Sequence, residues 1–217
     1  MPHKFTPFSD LEIPDKRRRN LPHWEVPGAT YFLTFRLADA LPAGVLEQIN
    51  HSVDAWLRQH SLSDRREVQW LPQEKQSEFR RLITAEEEHW LDAGNGSCAL
   101  RDSEFRQYLI EALTFFDDQR YALDAYVIMP NHVHLLVLPL ESWSLSSIVA
   151  SWKQYSAKRI NIRMGRSGAL WQKETFDHIV RNVEKLKQCR RYIAANPVKG
   201  RLARGDFHLG CGVGITT

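Results

Sequence analysis

The stretch Tyr126-Val127-Ile128-Met129-Pro130-Asn131-His132-Val133-His134-Leu135-Leu136-Val137 decides the fold. It reads as two short apolar strands interrupted at Met129-Pro130-Asn131. Pro has no N–H to give a ladder, and Asn favours turns. Side chains alternate across a strand, so His132 and His134 leave the second strand on one face. Two imidazoles at i and i+2 on a rigid sheet are half of a divalent-metal site. The plainer reading is a polar patch on a half-exposed strand, and spacing alone does not choose between the two.

Upstream, Asp102 or Ser103 caps a helix to about Asp117, with Phe105, Leu109, Leu113 and Phe116 at helical spacing. Earlier still, Ala29 to Leu37 is a β-branched and aromatic run that predicts a covered strand. Pro42 opens a helix to about His60, with Val45, Ile49, Val53, Trp56 and Leu57 on its buried side. Residues 61–101 are acidic and weakly periodic, and read as a helical elaboration. Within it, Glu86-Glu87-Glu88-His89 lacks metal-site spacing and reads as a solvated helix face.

Downstream, Ser144 or Ser146 starts a helix through Ile148, Val149, Trp152, Tyr155 and Ile160, which Gly165 to Gly168 breaks. Leu170 to Val180 carries an extended piece. A last helix from about Asn182 is expected to stop at Asn196-Pro197. Without the elaboration, the order is strand, helix, strand, strand, helix, strand, extra helix. That predicts an α+β, ferredoxin-like split βαβ: an antiparallel sheet with helices on one face, plus a C-terminal helix. We expect one domain over 29–204, a basic arm over 1–28, and a tail from 205 to 217.

The apolar share of 43% is ample for a core, and no apolar run nears the roughly 18 residues of a membrane span. Cys98, Cys189 and Cys211 match neither a disulfide framework nor a zinc pattern. With no signal-peptide pattern at Met1-Pro2-His3-Lys4, the expected location is cytoplasmic. The net charge of +3 hides an asymmetry: residues 151–204 carry +11 and the remainder −8. A basic segment interleaved with Trp152, Tyr155, Trp171 and Phe176 points to nucleic acid, because aromatic rings stack on bases. The simpler reading is a solvated helical face. Lys16-Arg17-Arg18-Arg19 suits either a phosphate-tracking arm or a disordered tail.

Tyr192 and Asn196 are four apart on the last helix, so they share a face. A phenol can be a nucleophile and an amide oxygen can ligate a hard cation. In isolation such a pair is most often structural.

Taken together, three motifs resemble the single-tyrosine HUH transposases, and most closely the REP-associated tyrosine transposase branch. They are Pro130-Asn131-His132-Val133-His134, Leu170-Trp171-Gln172 with Phe176-Asp177-His178, and Tyr192-x-x-x-Asn196-Pro197-Val198. The resemblance runs over roughly residues 20–203, outside 61–101. It implies that His132 and His134 are metal ligands, that Tyr192 is the nucleophile and that Asn196 holds the third ligand position. That position is Gln in related insertion-sequence transposases, so Asn shortens the reach by one methylene. The implied activity is Mg²⁺- or Mn²⁺-dependent nicking and strand transfer of single-stranded DNA at palindromic hairpins, through a 5′-phosphotyrosine.

The implied partner is single-stranded or hairpin DNA, contacted by Arg17, Arg18, Arg19, Lys153, Lys158, Arg159, Arg166 and Trp171, with the protein on the nucleoid when bound. Asp177 and His178 are candidates to support a ligand from behind. Monomers are expected, with dimers as the alternative. Tyr155 is the rival nucleophile, lacking an amide four residues on. Two competing functions remain: a non-catalytic ferredoxin-like nucleic-acid binder, and a metal hydrolase that uses His132 and His134 with Asp177 or His178.

Overall fold

A computed structural model describes residues 1–10 and 26–217, so Arg17, Arg18 and Arg19 lie outside the described residues. In chain order the elements are β1 (His3–Lys4), β2 (Tyr31–Arg36), α1 (Ala43–Gln59), α2 (Gln73–Asp92), α3 (Ser103–Thr114), β3 (Tyr121–Ile128), β4 (His132–Pro139), α4 (Leu145–Arg163), β5 (Phe176–Ile179), α5 (Val183–Lys199), β6 (His208–Cys211) and β7 (Ile215–Thr216). They form two compact units: Met1–Ala38 with Cys98–Thr217, and Asp39–Ser97.

The first unit is built on an antiparallel sheet of order β5-β2-β4-β3-β6. Its first four strands have the ferredoxin-like arrangement, with β4 between β2 and β3. The turn between β3 and β4 is tied down by its backbone. The Met129 N–H donates to His132 O at 2.9 Å, the Leu37 N–H to Asn131 O at 2.8 Å, and the Leu100 N–H to Pro130 O at 3.0 Å. This fixes the residues just before the histidine pair.

Period-two alternation divides the sheet into two apolar faces. One face carries Leu33, Phe35, Val133, Leu135 and Val137, all 0–1% exposed. Here α3 and α4 converge on Tyr121, whose hydroxyl donates to Leu113 O and accepts from Trp152 Nε1. Asp102 caps α3 through the Glu104 N–H, and Ser144 caps α4 through the Ser147 N–H. On the other face, α5 packs Leu186, Cys189 and Ile193 against Phe32, Ala122, Val127, Leu136 and Leu138. The expected helices on one face are α3 and α4, and α5 is the additional helix.

Three features depart from the sequence reading. First, α5 does not stop at Asn196-Pro197 but runs to Lys199. Pro197 removes one helical donor, yet it stands in the last turn. The Gly200 N–H still reaches Asn196 O, and the Leu202 N–H reaches Pro197 O. One lost bond at a frayed end does not break a helix whose apolar side is already packed.

Second, the stretch read as a tail is structured. Strand β6 adds a fifth strand beside β3, and β7 pairs with β1 in parallel. Phe5 from the supposed arm and Ile215 from the supposed tail both enter the α5-side core. These strands are two to four residues long, and the C-terminal two lie in a Gly-rich stretch, so they carry no period to read. At Gly210 a Cβ would overlap the Tyr126 ring, which is why the strand needs glycine there. Third, a bulge between Leu123 and Tyr126 turns Asp124 into the interior. Arg190 of α5 meets it with Nε 2.8 Å from Oδ2 and also donates to Ile215 O.

In the second unit, α1 and α2 pack around Val53, Trp56, Leu57, Val68 and Phe79. Trp56 Nε1 donates to Glu78, and Ser52 donates to Glu86. The helix assigned from sequence to the sheet core, α1, thus belongs with the segment that follows it. Its apolar stripe showed what is buried but not the partner. Among the described residues, no helix is long and apolar enough to cross a membrane.

Candidate active site

His132 and His134 stand on the α5 face of β4 and are each only 1% exposed. Their ring centroids are 4.7 Å apart. Each ring is held from behind at Nδ1. For His132 the partner is Asn131 Oδ1 at 2.8 Å. For His134 it is Thr34 Oγ1 at 2.7 Å, directly across the strand pair. An amide oxygen only accepts, so the His132 proton sits on Nδ1 and the lone pair on Nε2. Burial pushes the His132 pKa down to about 3, Lys199 and Arg36 push the same way, and Asn196 opposes them. Burial, then the neighbouring His132 and Lys199, drives His134 well below its ordinary value. Both rings are therefore neutral at physiological pH, the form that binds metal.

The second half of the site comes from α5. Tyr192 packs edge-on against His134, with centroids 5.1 Å apart, and its hydroxyl lies 3.5 Å from His134 Nε2. Phe32 stacks on His134 and meets Tyr192 edge-on, so it fixes the spacing between the sheet and the phenol. One turn on, Asn196 is 1% exposed, and neither its Oδ1 nor its Nδ2 has a hydrogen-bond partner of normal geometry. A buried amide left unpaired costs on the order of 1–3 kcal/mol. It is the kind of atom a cation would satisfy. His132 Nε2, His134 Nε2 and Asn196 Oδ1 are the atoms here with the chemistry to hold a divalent ion. Among the described residues, no group of three or more His, Cys, Asp or Glu makes an alternative cage.

Other residues singled out from sequence fall elsewhere. Asp177 pairs with Leu33, so it projects to the α3/α4 face and cannot back a ligand. His178 shares the face of His134, but Phe32 stands between them. Its Nε2 is buried without a partner, and burial lowers its pKa to about 4. Thr34 and Asn131 occupy the supporting positions instead. Tyr155 is on α4, behind the sheet, and donates to Glu111.

Trp171 is buried, packs edge-on against Phe35 and donates to Ser156 Oγ, so no free ring face is offered to a base. Lys153 is turned inward. Its Nζ reaches Gln172 O and Thr175 Oγ1, and burial depresses its pKa to about 8. Lys158, Arg159 and Arg166 are exposed, with the Arg159 guanidinium over Tyr108.

Sequence reasoning missed Thr34 and Phe32, because cross-strand register joins them to His134, a hundred residues or more away. It also missed Lys199, whose Nζ is 5.7 Å from the Tyr192 ring centroid. The expected helix stop had hidden it.

Residues 100–196 match the family whose model is described as "Transposase IS200 like". This chain is similar to the IS200-like transposases. The resemblance read from the His, Trp and Tyr motifs is borne out at that level. Two solved structures are similar. One is a REP-associated tyrosine transposase bound to a REP hairpin: TM-score 0.40, 17% identity, covering 84% of this chain and 74% of that one. The other is a transposase candidate from Deinococcus radiodurans R1: TM-score 0.30, 15% identity, covering 84% of this chain and 98% of that one. No protein of curated function matches the sequence.

Proposed function

We propose that the protein is a metal-dependent, single-tyrosine DNA nicking and strand-transfer enzyme acting on single-stranded hairpin DNA. The observation that carries this is the meeting of the Tyr192 hydroxyl with His134 Nε2 at 3.5 Å, with Asn196 one turn further along the same helix. The REP-associated branch is the reading favoured by the Tyr192-x-x-x-Asn196-Pro197 motif.

His132, His134 and Asn196 would hold the ion, Mg²⁺ or Mn²⁺. When bound, it supplies a Lewis acid for the scissile phosphate. Asn131 and Thr34 hold the two imidazoles at Nδ1, in the orientation that would leave Nε2 for the ion, and Phe32 keeps the phenol beside them. The phenolate oxygen of Tyr192 attacks phosphorus in line. The new bond joins phosphorus to the tyrosine oxygen and the bond to the 3′ oxygen breaks. The phenolic proton leaves to solvent, and the 3′ oxygen takes one from water. The covalent 5′-phosphotyrosine conserves the bond, so a 3′-hydroxyl can reverse the step without ATP.

A monomer carrying a complete site is the expected state. Partner contacts on Lys158, Arg159 and Arg166 would grip the phosphate backbone and place the protein on the nucleoid. The test is incubation with a single-stranded hairpin oligonucleotide and Mn²⁺, followed by intact-mass analysis. A mass gain equal to the 5′-phosphorylated product strand supports the reading. Cleavage without any adduct points to a water-attacking hydrolase and defeats it.

A further inference from the structure

Because α5 continues through Pro197, three residues at i, i+4 and i+7 share one helical face: Tyr192, Asn196 and Lys199. Asn196 is buried, whereas Tyr192 is half-buried and Lys199 is exposed. A strand reaching the phenol from solvent therefore meets Lys199 on the way. The Lys199 ammonium stands 5.7 Å from the Tyr192 ring centroid. Arg36, cross-strand partner of His132, brings a second cation to the same end of the sheet. Both charges are felt at His132.

We propose that Lys199 is a catalytic residue that binds a non-bridging oxygen of the scissile phosphate beside the His132/His134/Asn196 set and holds phosphorus in line with Tyr192. This rests on the nicking function proposed above. A phosphodiester at Tyr192 carries its charge on two non-bridging oxygens. An ion held by His132, His134 and Asn196 would take one, which leaves the other for a further cation. Lys199 supplies the missing donor from the helix that bears the nucleophile, so nucleophile and phosphate anchor move as one rigid piece. Lysine suits the task as a point charge on a flexible stem that can follow the phosphate as negative charge builds in the transition state.

The experiment compares wild type, Lys199→Gln and Lys199→Arg in Mn²⁺-dependent nicking of a hairpin oligonucleotide. It also measures hairpin binding by Tyr192→Phe with and without Lys199→Gln, in EDTA, across a salt series. We expect kcat to fall about 10²-fold or more in Lys199→Gln, with most of it restored by Arg. The log–log salt slope of binding should become shallower by about 0.7, one phosphate contact on a single strand. Lys199 is exposed, so thermal melting serves as a control for folding. Wild-type kcat in Lys199→Gln overturns the inference while leaving the Tyr192 adduct intact. A lowered rate with an unchanged salt slope also overturns it, because Lys199 would then act only through helix placement. Absence of any adduct in wild type defeats the parent reading and this inference with it.

Discussion

Thr34 Oγ1 lies 2.7 Å from His134 Nδ1, from the position directly opposite on the neighbouring strand. A hydroxyl on a paired strand is a rigid support, since neither end can move without breaking the ladder. Replacing Thr34 with Val keeps the shape and removes the hydrogen bond. We expect Mn²⁺ affinity to fall 10- to 100-fold, the usual cost of losing a supporting partner of a metal-binding imidazole. Calorimetric titration of Mn²⁺ into wild type and Thr34→Val checks this. Equal affinities would show that Phe32 stacking alone orients the ring.

Asn196 exposes a trade between stability and function. Its amide is buried and neither polar atom has a hydrogen-bond partner of normal geometry. Asn196→Leu removes those atoms and keeps the branching at Cγ. In EDTA the variant should be more stable than wild type by about 1–3 kcal/mol. With saturating Mn²⁺ the ranking should reverse, because wild type alone gains binding energy. Denaturant unfolding with and without metal reads both. A variant less stable than wild type in EDTA would mean that the amide is already satisfied.

The Arg190–Asp124 pair sets where α5 lies on the sheet, and hence where Tyr192 points. Asp124 sits at the bulge and is 7% exposed, and Arg190 also holds Ile215 O of the closing strand. Arg190→Met strands a buried carboxylate. Breaking such a pair costs roughly 3 kcal/mol, the lower end of the usual range, since the Arg190 side chain is one-third exposed. Urea unfolding measures it. Loss of nicking that exceeds the loss of folded protein would show that the pair also positions the nucleophile.

The closing strands make a further prediction. Truncation after Arg204 removes β6 and β7, uncovers the β3 edge and takes Ile215 out of the core. The shortened protein should unfold at least about 3 kcal/mol more easily and aggregate through the bared edge. Comparing urea midpoints and light scattering of the two lengths tests it. Unchanged stability would return residues 205–217 to the status of a tail.

These features also show what a sequence can and cannot reveal here. The histidine strand was legible because β4 is buried on both faces, so polar rings within an apolar run stand out. Tyr192 and Asn196 were legible through helical spacing. Thr34 and Phe32 were not, since register between distant strands leaves no local mark. Lys199 was masked by a proline rule that holds for helix interiors and fails in a packed last turn. Trp171 and Lys153 looked like surface groups by type, but their partners, Ser156 with Phe35 for one and the 172–174 carbonyls with Thr175 Oγ1 for the other, lie in other elements. The partition of α1 depended on which apolar stripe it meets, which composition does not encode.

The most direct measurement maps the covalent link itself. Wild type and Tyr155→Phe are incubated with hairpin DNA and Mn²⁺, digested with nuclease and trypsin, and sequenced by mass spectrometry. The account predicts a nucleotide-modified phosphotyrosine in the peptide Tyr192–Lys199 in both proteins. Modification on Tyr155, or cleaved DNA beside an unmodified Tyr192 peptide, would contradict it.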